Sequence, residues 1–145
     1  MQPLEDQIAE ITRMVFDTVL GLEAVPADGA SPAADDPGML AGAVQITGAF
    51  EGTVTVSCTT ALAVHAAAIL FDVPDGAATE SDTRDALSEL VNITGGNLKP
   101  LVPGPSRLSL PQIGGTTGDG KLLGKVRFDC MGQPFEVALR ESSPG

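Results

Sequence analysis

Apolar residues recur at three- and four-residue steps at the start of the chain. Ile8, Ile11, Val15, Val19 and Leu22, with Met14 and Phe16 beside them, predict an amphipathic helix over residues 3–22. The rhythm then stops. Residues 24–38 carry Pro26, Pro32 and Pro37 with Gly29 and Gly38, which predicts a flexible Pro/Ala/Asp-rich loop and no regular element. Alternation follows: Val54, Val56 and Cys58 interleave with Thr53, Thr55 and Ser57, so residues 39–47 and 53–58 predict a β-hairpin about the turn at 48–52.

Thr59 or Thr60 can cap a second, alanine-rich helix over residues 61–71, which is apolar enough to be buried against a sheet. Thr79 and Asp82 form a capping-box pattern that starts a third helix near Glu80, and Pro100 stops it at about Lys99. A strand is predicted over residues 107–113 with Leu108 and Leu110 on one face. The glycine-rich run 114–120 then leads into two strands, 121–130 and 134–140, joined at Met131-Gly132-Gln133. This order predicts an α+β fold, an antiparallel sheet with long helices packed on one face. At 145 residues the chain is expected to be a single domain.

The third helix carries more polar residues than its core face requires. At about 100° per residue, Asp85, Ser88, Glu89 and Asn92 fall within a sector of about 100°, while Ala86, Leu87, Leu90, Val91, Ile93, Thr94 and Leu98 occupy the rest. Gly96 continues the polar stripe one turn on, and a missing side chain there lets another backbone approach. Asn97 projects toward the apolar side, where a buried amide must be hydrogen-bonded and so braces the fold. A solvated face is the bland explanation of such a stripe.

Charge narrows the choice of partner. The net charge of −11 argues against nucleic acid and against insertion into or adsorption on an anionic membrane. Residues 1–98 hold 15 acids and 2 bases, whereas 99–145 hold 4 acids and 6 bases, so the stripe lies in the acidic part. No run of about 18 apolar residues occurs and no basic segment opens the chain, which predicts a cytoplasmic protein. Cys58 and Cys130 lie in strands without CxxC spacing or a nearby histidine; they read as reduced, half-buried thiols rather than metal ligands. His65, the only histidine, sits among alanines and carries little functional weight.

The chain has no phosphate-binding GxxxxGK[ST], no GxGxxG after a strand and no HExxH, and only one histidine is available for any triad, so a self-contained hydrolase is not expected. What remains is a carboxylate and a carboxamide on adjacent turns. A carboxamide donates and accepts at once, so it can hold a water in line with a phosphorus atom, as glutamine does in some GTPases. A glutamate one turn earlier can pair with a lysine on a partner and fix the register of the two proteins.

The pattern Asp85-x-x-x-Glu89-x-x-Asn92, continuing through Gly96-Asn97-Leu98-Lys99, resembles the signature of the CheX-like branch of the CheC/CheX/FliY chemotaxis phosphatases. Leu108-Ser109-Leu110-Pro111-Gln112-Ile113 resembles the strand that follows it, and the likeness extends over about residues 40–140. It implies a phosphatase acting on the aspartyl phosphate of a CheY-type response regulator. Asn92 would orient the attacking water and Glu89 would meet the regulator's active-site lysine. Asp85, where the family accepts Asp or Ser, would support the helix face. The chain would need no cofactor of its own, the partner regulator supplying Mg²⁺. CheC relatives carry two such motifs; with only Asn92 and Asn97 present, a second site is excluded. Homodimerisation is likewise implied by the resemblance. Pro100 departs from the family pattern, as does the loop at 24–38. The alternative is a noncatalytic module that docks the same helix face on a receiver or a flagellar-switch component.

Overall fold

The computed structural model describes residues 3–28, 38–74, 76–114 and 120–142. Helix α1 (Leu4–Val15) places Glu5 and Asp6 in its first turn and Arg13 in its last, both favourable to the helix dipole. It runs on through a π-helical turn at Phe16–Leu20, and Gly21, left-handed at φ 66°, ends it. Within the expected loop the structure differs: Val25–Pro26 is a short strand, β1, whose partners are Asp129 and Phe128. Proline is tolerated there because β1 is an edge strand. Residues 29–37 of that loop lie outside the described residues.

Strands β2 (Met39–Gly48) and β3 (Gly52–Thr59) form the expected hairpin, and the Glu51 carboxylate accepts the Gly48 N–H at 2.8 Å to close its turn. Thr59 is the residue that caps α2 (Thr60–Leu70), its Oγ1 accepting the Leu62 N–H at 3.1 Å. Helix α3 (Glu80–Leu98) begins with both bonds of the capping box: Asp82 N–H to Thr79 Oγ1 and Thr79 N–H to Asp82 Oδ2, each 3.0 Å. Pro100 lies in a single 3₁₀ turn at Lys99–Leu101 that follows it.

The expected single strand over 107–113 is two pieces, β4 (Ser106–Leu108) and β5 (Gln112–Ile113), both paired with β2. Ser109 Oγ takes the Gln45 N–H at 2.9 Å, a place a ladder carbonyl would otherwise fill, and Pro111 has no N–H to offer. Leu108 therefore packs against the core, whereas Leu110 is 86% exposed instead of sharing its face. Strands β6 (Lys121–Cys130) and β7 (Gln133–Glu141) complete an antiparallel sheet in the order β1-β6-β7-β3-β2-β4, with β5 beside β4 on β2.

Register defines the two faces of this sheet. Val54, Val56 and Cys58 pair with Leu139, Val137 and Phe135, and these join Ile8 of α1, Leu62 of α2 and Leu87 and Leu90 of α3 in one core. The three helices thus lie on one face. Phe135 stacks on Phe16 at 4.5 Å and on Phe128 at 4.8 Å, tying the end of α1 to the sheet. Cys58 and Cys130 are buried rather than half-buried, because both point into this layer; burial pushes the Cys58 thiol up to about 12 and raises that of Cys130. Among the described residues no helix is long and apolar enough to cross a membrane.

Candidate functional site

Helix α3 lies over β2 and β3 because its inner face is continuous and apolar: Ala86, Leu87, Leu90, Val91 and Leu98 are all buried. Close approach is built into both surfaces. The Cα of Gly42 in β2 faces Leu87 and Val91, where an added Cβ would stand 3.3 and 3.4 Å from their side chains. Gly95 faces Val44 in the same way. Two further bonds secure the helix to the strands at the sheet edge. Arg84 donates to the Ile113 carbonyl at 3.1 Å, and Lys99 donates to the Ser106 carbonyl at 3.1 Å.

With its inner face held, α3 presents Asp85, Glu89, Asn92 and Gly96 to solvent, with Ser88 half-buried beside them. The stripe read from the sequence is thus brought onto one rigid surface. Asp85, Ser88, Glu89 and Asn92 make no side-chain hydrogen bond or ion pair with the described residues. Their full bonding capacity is available to a partner. At Gly96 an added Cβ would meet only Leu108 Cδ1 at 3.8 Å, an ordinary contact, so nothing inside the fold requires glycine there.

Asn97 departs from expectation. It is exposed, and its Nδ2 donates to the Ile93 carbonyl one turn back at 2.8 Å. The amide donates to its own helix rather than being buried against the core. His65 is half-buried in α2, away from the stripe in sequence.

One part of the site was not expected. A cavity of about 400 Å³ opens between the end of α2 and the stripe, lined by Leu70, Phe71, Asp85, Ser88 and Glu89. Phe71 had read as the last residue of a buried helix; it is instead 39% exposed, since Asp72 turns the chain out of the helix at φ 53°. The signal was present in Asp72-Val73-Pro74, a turn that leaves the preceding aromatic at a helix end. Among the described residues no group of three or more His, Cys, Asp or Glu is placed to hold a metal ion.

The model of the family described as "Chemotaxis phosphatase CheX" matches residues 40–136, from β2 into β7 and including all of α2 and α3. The chain belongs to the CheX family. CheX proteins also share its fold. The CheX structure from Desulfovibrio desulfuricans superposes with a TM-score of 0.69 at 18% identity, covering 96% of this chain and 99% of that one. CheX from Vibrio vulnificus gives 0.71 at 15% identity, covering 96% and 97%. A CheX–CheY–BeF3–Mg²⁺ complex from Borrelia burgdorferi gives 0.71 at 16% identity, covering 95% and 97%. No curated protein matches the sequence significantly.

Proposed function

We propose that this CheX-family chain is a response-regulator phosphatase, removing the phosphoryl group from the aspartyl phosphate of a CheY-type receiver. The observation that carries this reading is the pairing of Glu89 and Asn92, exposed, unpartnered and on adjacent turns of a helix whose opposite face is locked to the sheet. Membership of a family of chemotaxis phosphatases supports it, as does the shared fold of the Borrelia burgdorferi CheX bound to CheY.

In this mechanism α3 lies across the receiver's active site. The Asn92 carbonyl oxygen accepts a hydrogen bond from a water and its NH₂ donates to a phosphoryl oxygen, which aligns the water with the P–O bond to be broken. The water oxygen bonds to phosphorus, the aspartate carboxylate of the receiver leaves with the bonding pair, and the water's proton passes to the released phosphate. Glu89 pairs with the receiver's active-site lysine and sets the register in which Asn92 reaches the phosphoryl group. Asp85, which bonds nothing within the described chain, flanks Glu89 on that helix face, and Gly96 keeps the stripe low enough for the receiver backbone to approach. The Mg²⁺ belongs to the receiver and neutralises phosphoryl charge there.

The test is phosphate release from CheY-type receivers phosphorylated with acetyl phosphate. Wild-type protein shortens the phosphate lifetime, and Asn92→Ala loses on the order of 10² to 10³ in rate, about 2 to 4 kcal/mol of barrier, while remaining folded. Unchanged lifetimes for every receiver tried overturn the proposal. Binding of a receiver without any change in its phosphate lifetime identifies a noncatalytic docking module instead.

A further inference from the structure

Resting on the phosphatase reading above, we propose that the cavity between the end of α2 and α3 is a specificity pocket that takes one cationic side chain, arginine or lysine, from the receiver surface. Its two walls have different chemistry. Leu70 and Phe71 form an apolar wall, whereas Asp85, Ser88 and Glu89 form a polar, anionic one, around about 400 Å³. A long cationic side chain suits both at once: its methylene stem covers Leu70 and Phe71, and its charged end meets the Asp85 carboxylate with the aromatic ring alongside. An anionic occupant would face two carboxylates, and a purely apolar one would strand them.

The chain itself does not supply that cation. Arg84, the base adjacent to Asp85 in sequence, is directed to the Ile113 carbonyl, and Asp85 has no ion pair among the described residues. Asp85 lies one helical turn before Glu89, so their Cβ atoms are about 5 to 6 Å apart and can meet two separate cations. Glu89 is committed to the lysine beside the phosphoryl group. Asp85 is then free for a second contact farther from the reacting atoms. The pocket shares Ser88 and Glu89 with the stripe, so it borders the surface on which a receiver seated on Asn92 would lie.

The pocket contacts no reacting atom, so it acts through binding. Steady-state dephosphorylation of an acetyl-phosphate-labelled CheY-type receiver that the wild type accepts is measured for Phe71→Ala and Asp85→Asn, with circular dichroism to confirm folding. Each variant is expected to raise KM about tenfold, equivalent to about 1.4 kcal/mol, with kcat at saturation changed far less. Asp85→Asn also flattens the salt dependence of KM. Asp85→Lys recovers affinity when a receiver surface cation near its active site is changed to glutamate, and the receiver position that responds identifies the occupant. Wild-type KM in both Phe71→Ala and Asp85→Asn, with the wild type active, overturns the pocket and leaves the phosphatase reading standing. An inactive wild type overturns both. A loss confined to kcat assigns these residues to the chemistry and also overturns the pocket.

Discussion

Gly95 and Gly96 are consecutive in α3, yet a methyl group at Gly95 would stand 2.6 Å from Val44 Cγ2, whereas one at Gly96 would meet only Leu108 Cδ1 at 3.8 Å. The first glycine is required by the sheet beneath the helix. The second is required by nothing within the chain. The same division runs the length of α3: Leu87, Leu90, Val91 and Leu98 are spent on the core, and Asp85, Glu89, Asn92 and Gly96 on none of it. Residues that contribute nothing to the fold yet interrupt a helix with glycine or leave charge unpaired are those the proposed receiver contact would use. The fixed inner face is what would suit the outer one to the proposed chemistry, since placing a water for attack demands a geometry held to within a fraction of an ångström.

The sharpest contrast comes from Leu87, fully buried at the contact with β2. Leu87→Ala is expected to destabilise by about 2 to 5 kcal/mol, read by urea unfolding, through lost burial and the cavity left behind. Exposed Asn92→Ala, by comparison, leaves the unfolding midpoint near that of the wild type. A large stability loss at Asn92 would break the division between the two faces.

The inner layer also carries a pH dependence through Cys58. Its thiol stays protonated in the fold up to about 12, against an ordinary value of 9.0. The raised value means that its contribution is fully present below pH 9.0 and is lost as pH rises toward about 12. Unfolding free energy is therefore expected to fall by up to about 1.4 kcal/mol per pH unit between pH 9.0 and about 12, with Cys130 adding in the same direction. Urea midpoints between pH 8 and 10 measure this, and native protein should leave both thiols unreactive to a disulfide reagent at neutral pH.

The two glycines give the smallest effects and opposite signs. Gly95→Ala gains helix propensity of about 0.5 to 1 kcal/mol but overpacks against Val44 for about 1 to 3, so a net loss on the order of 1 kcal/mol is expected. Gly96→Ala keeps the gain of about 0.5 to 1 kcal/mol without the clash. It should raise the melting temperature while slowing receiver dephosphorylation, since the added methyl would stand on the proposed receiver-facing stripe. A Gly96→Ala protein that is stabler and fully active would show that the glycine serves neither role.

Much of this was legible in the chain. The capping box at Thr79 and Asp82, the hairpin at 39–58 and the stripe of α3 were each readable because they depend on residues a few positions apart. The split of 107–113 into β4 and β5 was not, since it depends on the Ser109 hydroxyl meeting Gln45, 64 positions away. The exposure of Asn97 and the full burial of Cys58 and Cys130 depend in the same way on what each element packs against. Helical angle alone does not report either.

The sequence by itself determined that α3 has a polar stripe, and with it the residues that carry the proposed chemistry, because spacing along a helix maps directly onto its faces. Only the tertiary structure decided that Gly95 and Gly96 differ, and that Leu70 and Phe71 stand across a cavity from Asp85 and Glu89. Those facts arise from surfaces meeting between segments distant in the chain, and no local periodicity encodes them.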